Sequence, residues 1–143
     1  MYRPPVAVFL VLSIAHPTFG YTFYSYAEGK KFAVTVPEEA VKKAPAWKDD
    51  SDDPPLSARK ALKAADAVKD RLLGDTKEGY KLDGLTLEPY PSSKVSSGWI
   101  WVAEYRSTAA SAGHAPFLRL AILIDGTVVE PVVTKDRVTE PGK

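Results

Sequence analysis

The dipeptide Asp125-Gly126 constrains this chain more than any other feature. It stands between residues 117–124 (FLRLAILI) and 127–134 (TVVEPVVT), two runs rich in apolar side chains at alternate positions. Asp-Gly between such runs is the favoured filling of a two-residue type I′ hairpin turn, because both turn positions need positive φ. A two-residue turn predicts the register: Ile124 faces Thr127, Ile122 faces Val129, and Leu120 faces Pro131 on one side of the sheet. The other side then carries Arg119, Ala121 and Leu123 with Val128, Glu130 and Val132. The first side is almost purely aliphatic and needs a layer to pack on.

Residues 56–73 supply that layer. Ala58, Ala61, Leu62, Ala65, Val68 and Leu72 recur at helical spacing and form one apolar stripe. Ser57 follows a double proline as an N-cap, and Gly74 sits where a C-cap belongs. In residues 99–106 (WIWVAEYR) the strand period puts Trp99, Trp101, Ala103 and Tyr105 on one face and Ile100, Val102, Glu104 and Arg106 on the other. The aromatic face is expected to join the helix, which makes core packing, not ligand stacking, the reading for both tryptophans. Residues 85–88 form a shorter strand. Residues 21–26 and 31–36 form an N-terminal hairpin around Ala27-Glu28-Gly29-Lys30. The fold class expected is therefore α+β, one main helix packed on an antiparallel sheet of five to six strands. Its outer face holds Glu104, Arg106, Arg119 and Glu130, but also Ile100, Val102, Leu123, Val128 and Val132. That face is too apolar to stand bare, so the N-terminal hairpin or a partner covers it.

The remaining chain divides by composition. Residues 1–20 are expected to be a secretory signal peptide. Arg3 precedes the uncharged run Val6 to Ile14, which is about half the length of a membrane-spanning helix and fits a signal core. Cleavage is expected after Ala15 or after Gly20, the second preferred because Pro17 breaks the helix just upstream. Residues 21–36 are the hairpin, 37–55 a proline- and aspartate-rich connector, 56–134 the helix-plus-sheet unit, and 135–143 a polar tail. Export implies a periplasmic or extracellular location, a bacterial one given the absence of cysteine, with no stable membrane insertion after cleavage. The cut removes Arg3 and no acid, so one basic residue fewer than 19 faces 18 acidic ones. A near-neutral chain with no basic stripe is not expected to bind nucleic acid.

No motif for an active site stands out, and no cofactor or metal is expected. Cysteine chemistry is excluded outright. The acidic run 49–53 lacks the turn glycine and distal glutamate of an EF-hand loop. The serines lack a Gly-x-Ser-x-Gly elbow. Five residues are candidates for contact with a partner: His114, Tyr90, Trp47, Arg106 and Arg119. His114 is the only histidine past residue 20, in a loop of small residues. Trp47 stands alone in the connector and is expected to pin it to the domain.

The Ser57-Ala58-x-x-Ala61 helix opening, the strand 99–106 and the closing Asp-Gly-Thr-Val-Val together resemble the PepSY-like layout. There an alanine-rich helix packs on a small antiparallel sheet, and the closing turn commonly reads Asp-x-x-Gly-x-Val. The turn here is shortened to Asp125-Gly126. Cystatin-like folds share the same helix-on-sheet shape. The resemblance implies an exported, non-enzymatic binding or inhibitory module acting on a protein or peptide. The alternative is an envelope interaction protein that homodimerises through its half-apolar sheet face. Export is checked directly: N-terminal sequencing of the secreted product is expected to begin at Tyr21, and a retained Met1 would refute it.

Overall fold

The computed structural model describes residues 20–48, 53–92, 95, 98–109 and 115–135. The expected signal segment lies outside these apart from Gly20, as do His114 and the tail beyond Lys135. Among the described residues no helix is long and apolar enough to cross a membrane. The elements are β1 (Gly20–Ala27), β2 (Lys30–Pro37), α1 (Glu38–Lys43), α2 (Ala58–Leu73), β3 (Tyr80–Pro89), β4 (Trp99–Ser107), β5 (Phe117–Leu123) and β6 (Val132–Lys135). A 3₁₀ segment, Gly74–Gly79, links α2 to β3. All six strands form one sheet of antiparallel pairs in the order β3-β4-β5-β1-β2-β6. The architecture is the α+β one expected, with β3 longer than residues 85–88.

Helix α2 forms where its stripe predicts. The Ser57 hydroxyl accepts the Lys60 N–H at 3.3 Å, satisfying one of the unpaired first-turn donors. Ala61 and Ala65 are fully buried, so the helix approaches the sheet closely, and Leu62, Val68 and Leu72 pack beside them. The aromatic face of β4 meets it as expected. Trp101 Nε1–H donates to the Leu56 carbonyl at 3.0 Å, and Tyr105 OH donates to Asp66 at 2.6 Å. Leu118, Leu120 and Ile122 of β5 complete this helix-side core.

The turn at Asp125-Gly126 is not the two-residue turn expected. Leu123 N–H bonds to the Thr127 carbonyl at 2.8 Å, Val129 N–H bonds to Ala121, and Ile122 bridges Val128. The loop therefore holds three residues, Ile124, Asp125 and Gly126, and the register slips by one from the predicted pairing of Ile122 with Val129. Asp125 Oδ1 accepts the Thr127 N–H at 2.9 Å, an Asx turn that competes with the type I′ geometry. Gly126, at φ 93°, takes the left-handed last position of a three-residue loop. A slip of one exchanges faces. Val128 packs on the helix-side core, Val129 on the opposite one, and Glu130 leaves the outer face to bind Arg71 of α2 at 2.6 and 2.8 Å.

Residues 127–134 do not continue as one strand beside β5, because β1 holds the rest of that edge. Tyr26 pairs with Phe117, and the Arg119 N–H donates to the Ser25 hydroxyl at 3.0 Å. The chain crosses instead to pair β6 with β2, Ala33 opposite Val132 and Phe32 opposite Val133. The type I′ turn occurs in the N-terminal hairpin, where Glu28 and Gly29 take φ 52° and 67°.

The β1–β2 hairpin straddles the β5 edge. Its inward residues Ala27 and Phe32 enter the helix-side core, while Phe23, Val34 and Val36 enter a second core on the other side of the sheet. There they cover Ile100, Val102, Ala121 and Leu123, together with Val41 of α1, Tyr90 and Val95. The chain thus covers its own apolar outer face, and the observation behind self-association through Val102 and Leu123 is removed.

Burial raises the ionisation of the Tyr105 and Tyr80 hydroxyls above the ordinary tyrosine value of 10.0, and hydrogen bonds to Asp66 and Glu28 add to the shift. Burial raises Tyr90 likewise. Below pH 10 these hydroxyls are neutral in folded and unfolded chains alike, so their contribution is complete. Above it the unfolded chain ionises first, and stability falls as pH rises toward the folded-state values. Thermal melts are expected to show this loss beginning near pH 10. Tyr105→Phe should flatten it while costing about 1 kcal/mol at pH 7; an unchanged slope would contradict the assignment.

Candidate functional site

The outward face of β3, β4 and β5 keeps a patch that neither the hairpin nor α1 covers. Alternation in β4 and β5 places Glu104 opposite Arg119 and Arg106 opposite Phe117. On β3 a register shift between Leu82 and Gly84 leaves Asp83 as an extra residue. Leu82 pairs with Tyr105 on the helix side and Gly84 with Glu104 on the outer side, so the bulge brings Asp83 and Gly84 onto one face. Glu88 and Thr86 follow along the strand.

Asp83, Gly84, Thr86, Glu88, Glu104 and Arg119 line an open cavity of about 120 Å³, with Val102 on its apolar wall. A Cβ at Gly84 would meet nothing within 4 Å, so the glycine leaves one side of the cavity clear. The two arginines differ sharply in how they are held. Arg106 Nε–H lies 3.2 Å from Asp83 Oδ2 and an Arg106 Nη2–H lies 2.5 Å from Glu104 Oε1. These bonds, Asp83's foremost, hold its guanidinium charged even more firmly than usual, and it lies over the Phe117 ring at 5.8 Å. Arg119 has no such bond. Its nearest carboxylates are Glu88 at 3.8 Å and Glu104 at 4.0 Å, beyond hydrogen-bond reach. Its guanidinium rests over Phe23 at 5.1 Å, and its buried Nε–H finds no partner among the described residues.

Among the described residues no group of three His, Asp or Glu side chains could hold a metal ion, and Thr86 is the one hydroxyl lining the cavity, with no base hydrogen-bonded to it. A partly exposed guanidinium beside two carboxylates offers donors and acceptors to a polar group of an incoming chain. The cavity adjoins the outer edge of β3, whose backbone has no strand neighbour on that side among the described residues.

Of the five residues singled out from sequence, the structure brings Arg106 and Arg119 together here. Tyr90 belongs elsewhere. It is buried in the second core, its OH donating to the Val36 carbonyl at 2.9 Å and accepting the Tyr21 N–H at 3.1 Å, and it presents no surface to a partner. Trp47 meets Trp99 edge-on, ring centroids 4.9 Å apart at 71°, which fits a connector pinned to the domain. His114 lies outside the described residues. Asp83, Gly84 and Glu88 were not foreseen. The signal was present as Asp-Gly within the alternating run Leu82 to Leu87, since a glycine inside a strand pattern marks a bulge or a close approach.

Replacing Trp47 with Ala removes the edge-on contact and is expected to cost about 1–2 kcal/mol. Chemical denaturation would show the loss; unchanged stability would mean that the connector is held without it. Compared with known proteins, the chain matches no family model, no curated protein and no solved structure.

Proposed function

We propose that this chain is an exported, non-enzymatic binding module that takes an extended segment of a protein or peptide along the outer edge of β3. The observation that carries this reading is the edge of a ten-residue strand, open among the described residues, beside a cavity whose partly exposed arginine meets carboxylates only at 3.8 and 4.0 Å. Addition of a strand to a free sheet edge supplies affinity through main-chain hydrogen bonds, while side-chain pockets supply selectivity. The cavity would receive one side chain or carbonyl of the bound segment, with the partly exposed Arg119 guanidinium as donor and Glu88 and Glu104 as acceptors. Lys81, Asp83, the bulge and Pro89 stand along the same edge. Such features oppose indiscriminate pairing, so the site favours a chosen partner over aggregation. An inhibitory role follows if the bound segment belongs to an enzyme, as the PepSY-like and cystatin-like resemblance implies.

Peptides selected by display on the exported chain are expected to shift the backbone NMR signals of β3 and of Arg119. Gly84→Val fills the clear side of the cavity with a residue suited to strands. It should weaken those peptides at least about tenfold, a cost of about 1.4 kcal/mol, and leave the melting temperature unaltered. Selected peptides that perturb another surface, or that bind Gly84→Val equally well, would overturn the proposal.

A further inference from the structure

The other end of the sheet carries a second surface, built independently of the β3 edge. Five large apolar side chains stand most exposed among the described residues, and four of them are Tyr24, Tyr26, Val132 and Val133. They lie on β1 and β6, the two strands that flank β2. Tyr24 is opposite Ala33, which is opposite Val132; Tyr26 is opposite Lys31, which is opposite Thr134. Tyr24, Tyr26 and Val132 therefore share one outward face, with Val132 two-thirds exposed. β6 is the outermost strand, and its far edge has no strand neighbour among the described residues.

Charge on this end is one-sided. Strands β1, β2 and β6 contain Lys30, Lys31 and Lys135 and no acidic residue. Strands β3, β4 and β5 carry Lys81, Arg106 and Arg119 against Asp83, Glu88 and Glu104. Lys30 stands directly opposite Lys135 across the β2–β6 pair. Like charges in that position destabilise a sheet. Lys31, on the other face, adds a third positive charge, its Nζ 4.3 Å above the Tyr24 ring. Glu28, in the adjoining turn, has its carboxylate engaged by Tyr80 OH at 2.9 Å. A local conflict of this kind, kept beside a strand edge that is open among the described residues, calls for a counter-charge that the described strands do not supply.

We infer that the β6 edge docks an acidic, extended segment of a partner protein as a seventh strand. Its carboxylates lie against Lys135 and Lys30, and its aliphatic side chains cover Val132. Tyr24 and Tyr26 lie two strands further in on the same face as Val132, with large rigid faces and polar tips that order at little entropic cost. A second copy of this chain is a poor occupant. Pairing β6 with itself in a register that keeps faces matched, such as Val133 opposite Val133, brings a second Lys135 to the seam with no acid on either strand.

The probe is a fluorescently labelled hexapeptide of alternating glutamate and valine, with its lysine–valine counterpart as control. The exported chain should bind the acidic peptide at least about tenfold tighter than the basic one, and less tightly as salt rises. Lys135→Glu should lower that affinity at least about tenfold while leaving the melting temperature equal or higher, because the new carboxylate faces Lys30. Val132→Asp should lower it as well. The inference is overturned by equal affinity for the two peptides or by no binding. It is overturned too if Lys135→Glu melts lower, so that the lysine is structural. Capture of the chain by phosphatidylglycerol vesicles without competition from the peptide would reassign the surface to a membrane. Self-association abolished by Val132→Asp in sedimentation would reassign it to a second copy.

Discussion

A single hydrogen bond marks the point on which the rest of this structure turns: the Arg119 N–H donating to the Ser25 hydroxyl. Ser25 is the one fully buried polar side chain among the described residues. Its hydroxyl stands in for a backbone carbonyl at the place where β1 leaves the β5 ladder after one residue pair. A buried N–H without that acceptor would cost about 1–3 kcal/mol. With it, the hairpin is free to swing across the β5 edge and keep one face in both cores.

The placement of the two arginines follows from that crossing. Because β1 passes over the outer side of β5, Phe23 comes to lie against the Arg119 guanidinium. Arg106, two strands from the hairpin, meets Asp83 and Glu104 instead and is saturated by them. Two arginines on one face thus differ in what they have left to offer. The apolar part of the same face is sealed by Phe23, Val34, Val36 and Val41, which leaves the charged part next to β3 as the portion open to a partner.

The crossing also explains why the sheet ends in two unlike edges. β3 is long, bulged and carries mixed charge, whereas β6 has four residues, no acid and exposed valines. β6 exists only because the chain after Val129 cannot stay on β5 and must find another strand. Its pairing with β2 sets Lys30 against Lys135, a juxtaposition that no property of either segment alone requires.

The sequence by itself determined the α2 helix with its Ser57 cap, the aromatic face of β4, the N-terminal hairpin and hence the α+β class. Each depends on periodicity or turn chemistry within about twenty residues, which local sterics and burial decide. Half of the candidate site was visible in the same way, as Arg106 and Arg119 on alternating outer positions. The tertiary structure alone decided what the two Asp-Gly pairs in strand-like surroundings became. Asp125-Gly126 closes a three-residue loop and Asp83-Gly84 makes a bulge, while the type I′ turn fell to Glu28-Gly29. It also decided that residues 127–134 would split between β5 and β2, which moved Val128 and Glu130 to the helix side and joined β6 to the hairpin. The physical reason is competition for one strand edge. Propensity and period state that a segment is extended and which residues share a face, but which neighbour wins the β5 edge depends on β1, almost a hundred residues earlier in the chain.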